Sequence, residues 1–207
     1  MPSSTKDKLA KLEKLLYESV HGEVDLGLVL FVFLISVLSS LASGLLFTPE
    51  NISQTPTGIV FVALAISIAY LISYLVKFGV FYLIIRARGR LIDPRKIFGG
   101  IILCHIPRTL FIWASLFIPG FFVIDKSIYV GYGMTSPSFF LRSYVSSPII
   151  LQALNVFDFF NLATLVLLSL FLRKLSNLNI AQCFLINLIL DLLIQFLSSL
   201  GAHYSNN

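Results

Sequence analysis

Charge is scarce in this chain. Asp, Glu, Lys and Arg make up 12% of its 207 residues, while 57% are hydrophobic, and the mean hydropathy is +0.91. That composition excludes a soluble domain of this size, most of whose surface would then be apolar. Cysteine is scarce too. Cys104 and Cys183 fall inside apolar runs, have no metal-ligand spacing and read as small apolar fillers. Histidine is nearly absent from the apolar regions. His105 stands alone there, and His21 and His203 lie outside them. A metal centre is therefore not expected, and no cofactor is implied. There is no G-x-S-x-G elbow, no H-E-x-x-H helix, and no P-loop or dinucleotide motif. An N-terminal Met-Gly and a C-terminal prenylation motif are also missing, so no lipid anchor is expected.

What is present is a set of apolar runs near the length of a membrane-crossing helix. Five are counted, at roughly 26–47, 57–85, 97–123, 149–172 and 180–200. The expected fold is all-α: a polytopic membrane bundle of about five transmembrane helices over 26–200, preceded by a segment over 1–25 and followed by a short tail over 201–207. The first 25 residues are polar and lack an apolar core, so no cleavable signal peptide is expected. Within them Leu9, Leu12, Leu16 and Val20 share one helical face, and Asp7–Lys11 and Lys14–Glu18 are opposite-charge pairs at i,i+4. That pattern predicts an amphipathic helix lying on the membrane surface or docking a partner.

Lys and Arg set the expected orientation. They concentrate in the N-terminal segment (Lys6, Lys8, Lys11, Lys14), in 86–96 (Arg86, Arg88, Arg90, Arg95, Lys96) and in 173–179 (Arg173, Lys174). Lys126 and Arg142 fall in the long 124–148 loop. With five spans the positive-inside rule predicts a cytoplasmic N-terminus and an extracytoplasmic or lumenal tail. The net charge of +5 is then a topology signal. Its counterparts are anionic lipid headgroups on the cytoplasmic side, not nucleic acid. The 124–148 loop mixes turn residues with Tyr and Phe, which suits a segment dipping into the headgroup layer. Asn51-Ile52-Ser53 fits a glycosylation acceptor on the outer side but sits close to the membrane.

The candidate site is built from polar residues inside the runs: Lys77, His105, Arg108, Asn155, Asp158, Asn161, Asn187, Asp191 and Gln195. A charge at mid-bilayer costs about 2.5–3.5 kcal/mol on insertion scales, so such residues pair and face the bundle interior. Asn155, Asp158 and Asn161 recur every three residues, and Asn187, Asp191 and Gln195 every four. Each set predicts one stripe on one helix face. Arg108 and Asp191 lie at similar depth and are the expected ion pair. Pro107 predicts a break in the third helix beside the buried charge. A static clamp, a site for ions, protons or a small ligand, and a contact with a partner helix all remain open. Two intramembrane aspartates invite an aspartyl protease. Their contexts, Phe157-Asp158 and Leu190-Asp191, lack the Tyr-Asp and Gly-x-Gly-Asp patterns of such enzymes, so no enzyme is expected.

Several features between about Phe78 and Leu200 resemble one family. They are the basic stretch before Ile97-Phe98-Gly99-Gly100, then Ile106-Pro107, then Asn155-Val156-Phe157-Asp158, and a basic turn followed by Leu175-Ser176. With a polar N-terminus and five spans, this layout resembles the Yip (Ypt/Rab-interacting protein) membrane family, in particular its shorter prokaryotic-type members. The eukaryotic DLYGP motif is absent, and the usual Trp of the fourth span is replaced near Asn161. GTPase binding is accordingly not carried over. The resemblance implies a non-enzymatic membrane protein that scaffolds or organises partners, trafficking-like in a eukaryote. A prokaryotic source would place it in the inner membrane, a eukaryotic one in an endomembrane. The bilayer itself, a protein partner or a second copy are the expected partners. The alternative expectation is a small transporter or channel using the buried Lys, Arg and Asp network.

Overall fold

The computed structural model describes residues 26–47, 56–118, 122–125 and 130–204. The amphipathic segment over 1–25, the Asn51-Ile52-Ser53 acceptor and the last residues of the tail lie outside them. The described chain is helical apart from one short ribbon. In order come α1 (Leu26–Phe47), α2 (Pro56–Ala87), α3 (Pro94–Cys104), α4 (Ile106–Phe117), β1 (Phe122–Asp125), β2 (Val130–Gly133), α5 (Pro137–Leu141), α6 (Pro148–Leu154), a 3-10 turn (Asn155–Phe157), α7 (Phe159–Ser176) and α8 (Ile180–Tyr204). Four helical stretches are long and apolar enough to cross a membrane: Ser67–Ala87, Pro94–Ala114, Phe159–Ser176 and Ile180–Leu197. The second of these joins α3 and α4 through the bend at His105.

Two of the five runs are interrupted. The third is not one helix over 97–123. It breaks at His105, stops at Phe117, and Phe122 and Val123 belong to the ribbon. Pro107 occupies the first turn of α4, where its missing N–H costs no hydrogen bond. The fourth run is not one helix over 149–172 either. The chain leaves the helix after Phe157, and Asp158 is extended, with φ −61° and ψ 144°. Its carboxylate accepts the Phe160 N–H at 2.9 Å and so caps α7. An aspartate that satisfies an orphan N–H favours a helix start over a helix interior. The Asn155–Asp158–Asn161 stripe is therefore split between two elements.

Local signals fix the other ends. Asp93 accepts the Arg95 N–H at 2.9 Å, with Pro94 next, and starts α3. Asn177 ends α7 in the left-handed region at φ 58°. Asn179 and Gln182 then cap each other reciprocally, N–H to side-chain oxygen at 2.8 and 3.3 Å, opening α8. Arg90 donates from Nη1 to the carbonyls of Lys174 and Leu175 at 3.1 and 3.2 Å, binding the α2–α3 turn to the C-terminal end of α7. The basic 86–96 and 173–179 loops thus share one end of the bundle. At the other end β1 and β2 pair antiparallel, Phe122 opposite Gly133.

The main core joins α1, α2, α3, α7 and α8 through Val29, Tyr74, Phe81, Ile85, Ile97, Ile101, Leu168, Phe171, Leu172 and Cys183. Outward faces stay apolar as well: Leu64, Ile68, Leu75, Leu83, Val166, Leu193 and Leu197 are exposed. An apolar exterior around a core suits lipid as the surrounding solvent. Gly100 marks the closest approach. A Cβ there would overlap the Phe171 ring, standing 2.6 Å from Cε2. We expect Gly100→Ala to lower stability by about 1–3 kcal/mol by overpacking. Thermal unfolding in detergent checks this, and Gly100→Ala with Phe171→Leu should recover part of the loss.

Candidate functional site

Lys77 lies about two thirds of the way along α2, in an apolar stretch of sequence, and has no access to solvent, at 0% exposure. Its Nζ stands 2.6 Å from Asp191 Oδ1, with Asp191 on α8 itself buried. The expected Arg108–Asp191 pair is not the one formed. Lys77 has a long flexible stem, which carries its ammonium to the Asp191 carboxylate without close packing of α2 on α8.

Two neutral groups complete the arrangement. His105 Nδ1 lies 2.7 Å from the Ile101 carbonyl, which can only accept, so Nδ1 carries the ring proton. Nε2 is then the acceptor, and it meets Lys77 Nζ at 3.0 Å. The Asn161 amide donates to the Val156 carbonyl at 2.8 Å and reaches Asp191 Oδ2 at 3.5 Å. One ammonium thus faces one carboxylate and one imidazole lone pair, and the second carboxylate oxygen faces an amide. The helix break is what places His105 here. The break hands the His105 carbonyl to the Thr109 N–H at 3.0 Å and leaves the ring facing α2.

Towards the ribbon end the polar residues form successive layers. His105 packs edge-on against Tyr74, ring centroids 4.8 Å apart. Beside them Ser36 of α1 and Thr109 of α4 meet at 2.8 Å. Each hydroxyl has one proton. One of them therefore bridges the helices while the other bonds its own carbonyl, Val32 or His105. One layer further, the Arg108 guanidinium sits 5.9 Å from the Tyr70 ring centroid.

The remaining candidates fall in three separate places. Asn187 donates to Ser169 Oγ at 3.3 Å and to the Cys183 carbonyl at 2.9 Å, while its buried Oδ1 has no hydrogen-bond partner. Gln195 is half-buried further along α8. Asn155 accepts from Ser136 at 2.9 Å and from Ser138, and Asp158 accepts from Thr135. These contacts pin the segment after β2 onto the 3-10 turn. Gly133 packs against the Phe111 ring and close to Asp158, where a Cβ would stand 2.7 Å from Phe111 and 3.3 Å from the carboxylate.

The structure thus gathers Lys77, His105, Asn161 and Asp191, places Arg108 one layer off, and sends Asn155, Asp158, Asn187 and Gln195 elsewhere. Tyr70 and Tyr74 also line the site. Their spacing with Lys77 along one helix, at i, i+4 and i+7, is a signal visible in the sequence. Ser36 and Thr109 carried none, because hydroxyls in apolar helices commonly bond their own backbone. Among the described residues no three His, Cys, Asp or Glu side chains gather closely enough to hold a metal ion. Comparisons with family models, curated proteins and solved structures yield no match.

Removing one partner of a buried pair strands the other. We expect Asp191→Leu and Lys77→Met each to cost about 3–5 kcal/mol, and the double substitution to cost far less than their sum. Unfolding of the four proteins in one detergent measures that cycle.

Proposed function

We propose that this chain is a non-enzymatic integral membrane protein of the Yip type. It organises partners at the membrane, and its polar core locks the bundle in one arrangement. The observation that carries this reading is the closure of the Lys77–Asp191–His105 contacts. The two charges meet each other fully out of solvent, and the imidazole turns its lone pair to the ammonium. Such a group fixes which helices meet and at what register. The reading includes five crossings, with α1 as the first, the Arg86-to-Lys96 end in the cytoplasm and the tail outside. The sharing of one end by both basic loops supports that orientation. The basic end faces anionic headgroups, and the 1–25 segment engages a partner protein or a second copy. The membrane is the inner membrane of a prokaryote or an endomembrane of a eukaryote.

One observation favours a second reading, a small transporter or channel. A lysine, a histidine and an aspartate meet where a spanning helix breaks, an arrangement that also suits a proton or ion relay. Reconstitution separates the two. The organiser reading expects no proton or cation flux above empty liposomes, and a partner recovered in stoichiometric amount from the native membrane and lost when 1–25 is deleted. Flux that falls to background in a folded Asp191→Asn protein would establish the relay instead.

A further inference from the structure

Arg108 carries a positive charge that the described polar core does not balance. Lys77 and Asp191 neutralise each other at 2.6 Å. His105 accepts at one nitrogen and donates at the other, so it is a neutral ring. Asp158, the other acid in these runs, is engaged by the Thr135 hydroxyl and the Phe160 N–H. Among the described residues no carboxylate lies within ion-pair distance of the guanidinium. Its nearest described neighbour is the Tyr70 ring, with the guanidinium 5.9 Å from the centroid. Among the described residues its five N–H donors outnumber the acceptors beside it.

The position of Arg108 says which side it serves. Lys77 is sealed, whereas Arg108 is only half-buried. Arg86 and Lys96 mark the basic end of the bundle. At ~1.5 Å per residue, Tyr70 stands ~24 Å along α2 from Arg86, and Arg108 ~18 Å from Lys96. A hydrocarbon core of ~30 Å then leaves the guanidinium about one side-chain length below the opposite surface, the range over which Arg snorkels. Trp113 and Phe117 stand exposed and stacked 5.4 Å apart just beyond it on α4, where an aromatic belt would mark that surface.

From these observations we infer that Arg108, seated on Tyr70, binds a phosphate-type oxyanion at the ribbon-end surface of the bundle. The oxyanion is either the phosphodiester of an anionic lipid or a free phosphate. The planar guanidinium matches two oxygens of such a group at once, and the Tyr70 ring beside it limits where it can lie. The site is independent of the function proposed above, since neither the organiser nor the relay requires a ligand at this layer.

The test uses the full chain in mild detergent, stripped of lipid. Two probes are offered separately: phosphatidylglycerol, read by native mass spectrometry, and inorganic phosphate, read by calorimetry. We expect Arg108→Gln to weaken binding of one probe at least tenfold, while Gln182→Ala, a neutral change at the far end of the bundle, leaves it unchanged. Loss of phosphatidylglycerol alone identifies the lipid, and loss of both identifies a free oxyanion site. Should Arg108→Gln fail to fold, labelling of wild-type arginines with phenylglyoxal decides. The bound probe should shield Arg108 from the reagent. Equal binding by wild type and Arg108→Gln, or no shielding of Arg108 by either probe, overturns the assignment.

Discussion

The ion pair between Lys77 and Asp191 is the constraint on which the bundle depends. In a chain with so few charges, two of them face each other where neither water nor lipid can solvate them. Either charge alone would be expelled from an apolar interior. The pair is therefore tolerable in one arrangement only, with α2 and α8 held at the register at which the extended Lys77 stem brings Nζ to Asp191 Oδ1. Apolar side chains are poor at setting such a register. Between helices surrounded by lipid, leucine against leucine is little better than leucine against acyl chain, so sliding and rotation cost little. The polar contacts supply the discrimination. His105 adds α3 and α4 to the pair, and Asn161 adds α7. Ser36 meets Thr109 and brings in α1.

The breaks in the third and fourth runs follow from the same demand. A continuous helix offers a neighbour only one narrow face. The bend at His105 lets one crossing address α2 with an imidazole and, a turn later, α1 with the Thr109 hydroxyl. The backbone cost of the bend is small, because Pro107 falls where an N–H has no helical partner in any case. At the fourth run Asp158 serves the backbone instead of a cation. Its carboxylate starts α7 and receives Thr135. That frees Asn161, one turn in, to reach Asp191.

Composition and periodicity made the apolar helices legible, because a span of about 20 apolar residues has few other uses. The membership of the polar core was legible in outline: Lys77, His105, Asn161 and Asp191 were all visible as residues lipid would not tolerate. Their partners were not. Pairing by depth favoured Arg108 for Asp191, since depth counts residues along a helix and ignores rotation about it. Lys77 lies at a different height, and a flexible four-carbon stem removes the difference. Asp158 was misplaced for a related reason. A spacing of three suits a helix face, but aspartate two residues before a free N–H suits a cap just as well, and spacing cannot separate them. The ribbon at Phe122–Asp125 was hidden because a short strand of aromatic and β-branched residues looks like the end of an apolar helix.

The contrast between Lys77 and Arg108 separates two uses of charge in one bundle. Both are cations within apolar runs, and both stand beside tyrosines of α2. Lys77 is a compact ammonium with a carboxylate in contact, wholly enclosed, and its neutralisation is complete within the chain. Arg108 is a broad, weakly hydrated fork beside an aromatic ring and only partly buried. Exchanging the two residue types would defeat both: a guanidinium in the Lys77 position has more donors than the enclosure can satisfy, and an ammonium over Tyr70 cannot present two parallel N–H groups. The residue choice therefore follows the surroundings, with the closed charge holding helices and the open one left to face whatever the membrane surface provides.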